Sequence, residues 1–213
     1  MPAVDNKLAN PGALGLGAFA LTTFVLNIVN AGIISTDNIG MVLPIGLFYG
    51  GLAQFMAGMW EVKRGDTFGA TCFTSFGAFW IAVATMIILE DAGVIGPVAR
   101  EGLAILFIAW GIFTLYATIA SLRLARGVTA VFVLLTILFF LLAAGEWNST
   151  IHKVAGYEGI ITAAVAWYCS AGILINTLFE REVLPLGKPL APALGKAPEL
   201  SKQEEPERTK RAV

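Results

Sequence analysis

The chain has 213 residues, 57% of them hydrophobic and 14% charged, with a formal net charge of −1 and a mean hydropathy of +0.76. Soluble domains carry about 25% charged residues, and a soluble core cannot absorb this much apolar surface. The near-neutral balance and the lack of a basic stripe also exclude nucleic acid as a natural partner, leaving a polytopic membrane protein whose surroundings are the lipid bilayer.

Six apolar runs are long enough to cross a bilayer: Leu14 to Ile34, Ile39 to Trp60, Thr67 to Leu89, Gly102 to Leu122, Val128 to Gly145 and Tyr157 to Phe179. The first is preceded by "NPGALGL", in which Asn10 suits an N-cap and Pro11 the first helical position. Gly12, Gly15 and Gly17 would expose backbone N–H groups at a helix N-terminus, where partial positive charge favours an anion. With Lys7 as the only basic residue ahead of it, this run reads as a first spanning helix rather than a cleaved signal. Within it Phe19, Thr23, Asn27 and Asn30 follow one another at helical spacing and share a face. An asparagine in hydrocarbon needs a partner, so this face meets either another helix or a water-filled path.

The second run carries a small-residue strip, Gly46, Gly50, Ala53 and Ala57, that lets another backbone approach closely. Tyr49 and Gln54 lie beside the strip, and Gln54 suits a bond across a helix interface. Glu61 follows, next to Lys63 and Arg64, and reads as a paired interfacial carboxylate. The third run opens with a hydroxyl-rich group, Thr67, Thr71, Thr74 and Ser75, close to Phe76. Hydroxyls can bond back to their own helix, so these residues gain meaning only beside the asparagine face. In the fifth run Thr136 is the only polar side chain, and Leu135 offers an apolar wall. The sixth brings Glu158 near one end, Trp167 and Tyr168 mid-helix, and Asn176 near the other end.

Basic residues mark the cytoplasmic side. Lys7, Lys63, Arg64, Arg123, Arg126 and the stretch from Arg181 fall on one side of an even number of spans, which predicts that both termini are cytoplasmic. Residues 1–182 then form one six-helix membrane domain. Residues 183–213 mix Pro, Lys and Glu and read as a disordered cytoplasmic tail. Cys72 and Cys169 lie inside spans, and His152 sits in a predicted outer loop without ligand neighbours, so neither a metal nor another cofactor is expected. No nucleophile and base pair emerges, and the middle of every span lacks Asp, Glu, Lys and Arg, which argues against an enzyme.

Three ordered segments, "NPGALGL" from Asn10, "FYGGLAQFMAG" from Phe48 and "FTSFGAFW" from Phe73, resemble the acetate uptake transporter family, also called the GPR1/FUN34/YaaH or succinate–acetate permease family. The similarity covers residues 7 to about 180. It implies a homo-hexamer of six-helix protomers in a prokaryotic inner membrane, each protomer with its own path for acetate, succinate and related small carboxylates. Carried over by motif, the narrowing of that path falls on Phe19, Phe76 and Leu135, where the family commonly has Tyr at position 76. Asn10, Thr23, Asn27, Asn30, Tyr49, Gln54, Thr71, Thr74 and Ser75 are then candidates for the polar lining, and Glu61 and Glu158 for protonatable groups at the entrances. Neutral donors suit conduction, since permeation needs sites that are favourable but weak. A proton-coupled symporter is the alternative, and a non-transporting sensor acting through the tail a more distant one.

Overall fold

The computed structural model describes residues 8–191, which contain six helical units long and apolar enough to cross a membrane and no strands. The helices are α1 (Gly12–Asn30), α2 (Ile39–Leu47), α3 (Gln54–Arg64), α4 (Thr67–Asp91), α5 (Arg100–Ser121), α6 (Arg126–Gly145) and α7 (Ser149–Phe179). Their boundaries follow local capping. The Asp66 carboxylate accepts from Gly69 N at 3.1 Å and starts α4, and Gly65, at φ 76°, lets the chain turn out of α3. Asn148 Oδ1 accepts from Thr150 N and Ile151 N, so α7 begins at Ser149 rather than at Tyr157. His152 therefore lies in the first turn of α7 and not in a loop.

The second span is not one helix, as its apolar run predicts. A 3-10 turn (Thr36–Asn38) leads into α2, and a π-helical turn (Phe48–Ala53) separates α2 from α3. Pro44 offers no N–H to the ladder, and the wider turn that follows changes which way the small residues face. Gly46 meets Ala84 and Trp80 of α4, whereas Gly50 lies against Thr22 of α1. The predicted strip thus serves two partners instead of one.

α1 is the inner post of the bundle and packs most extensively on α7. Along that seam Gly156 rests on the Asn30–Ala31 backbone and Gly159 on the Asn27 side chain, while Ala155, Ala163 and Ala166 are fully buried. Lipid supplies no hydrophobic drive for helix association, so close backbone approach through small residues does this work. Ser170 Oγ adds a bond to Ala13 O at 2.6 Å. The glycines of the opening motif belong to this packing and not to an anion site. Gly12 N is taken by Asn10 Oδ1 at 2.9 Å, Gly15 N by Pro11 O at 2.9 Å, the Phe73 ring covers Gly15, and Gly17 faces Ser170. Asn10 does satisfy an N-terminal donor, as a cap would, although Pro11 stands at the cap position.

α5 is tied to α6 by hydroxyls. Thr118 Oγ1 lies 2.9 Å from Phe132 O and from Thr136 Oγ1, and Thr129 Oγ1 donates to Ser121 O at 2.7 Å. Beyond α7 the chain does not leave the bundle as the tail reading predicts: residues 183–191 return along the ends of α5, α6 and α7, held by the hydrogen bonds described below. The rest of the predicted tail, 192–213, lies outside the described residues, as does Lys7.

Candidate functional site: three cavities in series

α1, α4 and α6 each contribute side chains to three cavities that follow one another through the bundle. An outer cavity of about 260 Å³ includes Thr23, Asn27, Asn30, Trp80, Glu90 and His152 in its lining. An inner one of about 250 Å³ includes Asn10, Glu61, Arg64, Asp66, Phe132 and Leu186. Between them lies a pocket of about 20 Å³, room for roughly one water. Phe19, Phe76 and Leu135 line both the outer cavity and this middle pocket, and all three are buried.

The Phe76 ring is caged. Its centroid lies 6.1 Å from that of Phe19, 5.6 Å from Trp110, 5.4 Å from Phe113 and 6.3 Å from both Phe132 and Phe139. Offset and edge-on arrangements of this kind fix a ring's orientation. A second apolar ring lies one turn further in: Leu16, Cys72, Phe73 and Phe132 line both the middle pocket and the inner cavity. Sequence reasoning passed over it, yet its members stand three or four residues before Phe19, Phe76 and Leu135, so helical spacing from the first ring points to it.

Above the narrowing the wall is neutral and polar on one side. Thr23, Asn27 and Asn30, aligned along α1, all line the outer cavity together with Phe19, as their shared face requires. Asn27 Nδ2 donates to Thr23 O at 2.8 Å, and Asn30 Nδ2 donates to Asn27 Oδ1 at 3.3 Å. Each amide nitrogen carries two hydrogens, so each keeps one N–H beyond these bonds. Thr23 Oγ1 and Trp80 Nε1 are buried without a protein partner, although both residues border the cavity. Trp80 was not singled out as a site residue; its place one turn beyond Phe76 is the signal that would have found it.

Other predicted site residues lie off this path. Thr71 is exposed on the outer surface of α4, and Thr74 packs against Gly58. Neither they nor Ser75 line the three cavities, because the α4 surface toward the path is set by Cys72, Phe76 and Phe79. The Tyr49 hydroxyl lies near Gly17 in the helix packing. Gln54 borders the middle pocket, with its Oε1 buried and unpartnered. Glu158 is bonded through Oε1 to Thr162 Oγ1 at 2.9 Å and also stands away from the cavities, its Oε2 buried and unpartnered.

The inner mouth is polar. Arg64 Nη1 donates to Glu61 Oε2 at 2.9 Å and to Asn10 Oδ1 at 3.0 Å, joining α3 to the start of α1. At the opposite mouth Glu90 Oε1 accepts from Val98 N at 2.7 Å. Beside that mouth, burial pushes the Glu146 carboxyl above its ordinary value, while His152 and Arg100 pull the other way. Among the described residues no cluster of His, Cys, Asp and Glu could hold a metal ion.

Six spans around cavities that are polar at their ends and closed by aromatic rings in the middle define a membrane channel or transporter for a small solute. The sequence profile of the GPR1/FUN34/yaaH family matches residues 1–188, and the chain belongs to that family. The succinate-acetate/proton symporter SatP of Escherichia coli (strain K12) is 41% identical over 186 residues, which are 86% of this chain and 98% of that one. Acetate permease A of Emericella nidulans is 36% identical over 180 residues, 76% of this chain and 60% of the longer relative. Among solved structures the bacterial acetate channel SatP, 42% identical, superposes with a TM-score of 0.82 over 85% of this chain and all of that one.

Proposed function

We propose that this protein carries acetate and related small monocarboxylates, with succinate as a further substrate, across a prokaryotic inner membrane and is not an enzyme. The observation that carries this reading is the shared lining of Phe19, Phe76 and Leu135 between a polar outer cavity and a water-sized middle pocket. The names of the relatives point to the same substrates.

A carboxylate leaving water needs donors, and its methyl group suits an apolar ring. The outer cavity offers both. The remaining N–H groups of Asn27 and Asn30 and the unpartnered Thr23 hydroxyl and Trp80 N–H supply neutral donors, with the Phe19 and Phe76 rings directly inward. Neutral donors hold the anion weakly, which favours rapid passage. The middle pocket is too small for acetate at rest, so passage requires the three side chains to move apart. Asn10 would receive the carboxylate at the inner mouth, with Gln54 bordering the middle pocket. Tyr49, Thr71, Thr74 and Ser75 take no part in this path and instead serve packing or the outer face of the protomer.

The end bearing Arg64, Ala125 and Leu186 is the cytoplasmic one, with Arg123 and Arg126 beside it and both termini on that side. The assembly is a homo-hexamer, each protomer with its own path. Proton coupling is a second reading, favoured by one placement: the buried Glu61 carboxylate lines the inner cavity. Glu158, off the path, is the weaker candidate for that role. Labelled acetate flux into proteoliposomes tests the proposal. Flux well above that of protein-free liposomes is expected, and equal flux would refute it. Uphill accumulation driven by a pH gradient, after correction for leak of the neutral acid, would replace the channel reading with symport.

A further inference from the structure

One wall of the inner cavity belongs to no spanning helix: it is the side chain of Leu186, from the segment that follows α7. We propose that residues 183–191 form a fixed strap that completes the inner mouth, and that Leu186 is a specificity-determining residue of the path, limiting the size of acid that passes there. The inference rests on the carboxylate-path reading above.

The strap's course is set by groups other than the Leu186 side chain. Glu180, at φ 51°, turns the chain out of α7. Asn176 then holds the returning segment from both sides, its Oδ1 accepting from Val183 N at 2.8 Å and Leu184 N at 2.9 Å, and its Nδ2 donating to Leu184 O at 2.8 Å. The Tyr168 hydroxyl donates to Pro185 O at 2.9 Å. Gly127 N, in the first turn of α6 where no helical acceptor exists, donates to Leu186 O at 2.9 Å. Ala191 N donates to Leu122 O at 2.9 Å and fixes the far end. Backbone anchors therefore stand on residues 183, 184, 185, 186 and 191, so position 186 is held whatever its side chain is.

That side chain has a built seat. It lies over Gly172 of α7, where a Cβ would come within 2.5 Å of Leu186 Cδ2. Gly172 thereby lets the leucine lie back against α7. A methyl group there would push it off this seat toward the cavity it lines with Val128 and Phe132. The two residues act as a pair: one sets how much bulk borders the mouth, the other how far that bulk reaches in.

The test is initial flux of acetate and of the longer acid butyrate in proteoliposomes. Leu186→Trp should lower acetate flux severalfold and butyrate flux more, so that the butyrate-to-acetate ratio falls. Val183→Trp, on the exposed side of the same strap, should change neither. Gly172→Ala should shift the ratio in the same direction as Leu186→Trp, and Gly172→Ala combined with Leu186→Ala should restore it. A role in stability alone would lower the melting temperature and scale both fluxes together, leaving the ratio unchanged. A folded Leu186→Trp protein with wild-type fluxes and ratio overturns the inference. Should that variant not fold, an unchanged ratio in Gly172→Ala does so. Absence of wild-type acetate flux overturns the carboxylate-path reading and this inference with it; wild-type flux with unaltered variants overturns the inference alone.

Discussion

Position 76 offers the sharpest test of how the path works, because the perturbation is a single oxygen atom. Phe76 is 3% exposed and surrounded by the rings of Phe19, Trp110, Phe113, Phe132 and Phe139. In Phe76→Tyr the new hydroxyl has two alternatives. Confined among those rings, it stays unpaired and costs about 1–3 kcal/mol of stability. Directed into the path that Phe76 borders on two sides, it meets the carboxylate at the narrowest point. A hydrogen bond to a charged group contributes about 1.5–3 kcal/mol. If only half of this appears as a lowered barrier, about 1 kcal/mol, acetate flux rises roughly fivefold, since about 1.4 kcal/mol corresponds to a factor of ten. The expected result is therefore a several-fold rise in labelled acetate flux with a melting temperature close to that of the parent. A lowered melting temperature with unchanged flux would place the hydroxyl outside the path and refute the reasoning that puts Phe76 at the narrowing.

Phe19→Ala removes one of three side chains shared by the outer cavity and the middle pocket, and the ratio of butyrate to acetate flux should rise. Gly156→Ala sets a Cβ against the Asn30–Ala31 backbone, which cannot move aside as a side-chain tip can; overpacking of about 1–3 kcal/mol or more should appear as a clear drop in melting temperature in detergent. Thr118→Val removes the hydroxyl shared by Thr114 O, Phe132 O and Thr136 Oγ1, and a loss of about 0.6 kcal/mol per interhelical bond, measured in a double-mutant cycle with Thr136→Val, is expected. Burial raises the Glu146 pKa, so its ionised form costs stability above the raised value and the cost disappears as pH falls below the ordinary carboxylate range. Glu146→Gln should accordingly raise the melting temperature at about pH 8 and leave it nearly unchanged at about pH 4, near the unperturbed carboxylate value.

Much of this architecture is legible in the amino-acid order. Six long apolar runs force six spans, because a backbone in hydrocarbon must bond to itself. The spacing of Phe19, Thr23, Asn27 and Asn30 puts them on one helix face, and that face lines one cavity. Local periodicity fixes such relations within a helix whatever surrounds it. It does not fix how that helix is rotated against its neighbours. The hydroxyls of Thr71, Thr74 and Ser75 are as regularly spaced as the asparagines, yet they lie off the path, because packing through Gly58 and Gly77 turns that side of α4 toward the second span. Gly12, Gly15 and Gly17 likewise read as a donor site in isolation and prove to be contact points for Asn10, Phe73 and Ser170, partners distant in sequence for the last two. The π-turn after Pro44 redirects Gly50 from α4 to α1, which no helical template of period 3.6 anticipates. Sequence alone thus determined the number of spans, the polar face of the first and the family. Only the tertiary structure decided which faces meet, that Trp80 and His152 border the outer cavity, and that Leu186 closes the inner one, because those relations depend on close contacts between distant segments rather than on the repeat of any single helix.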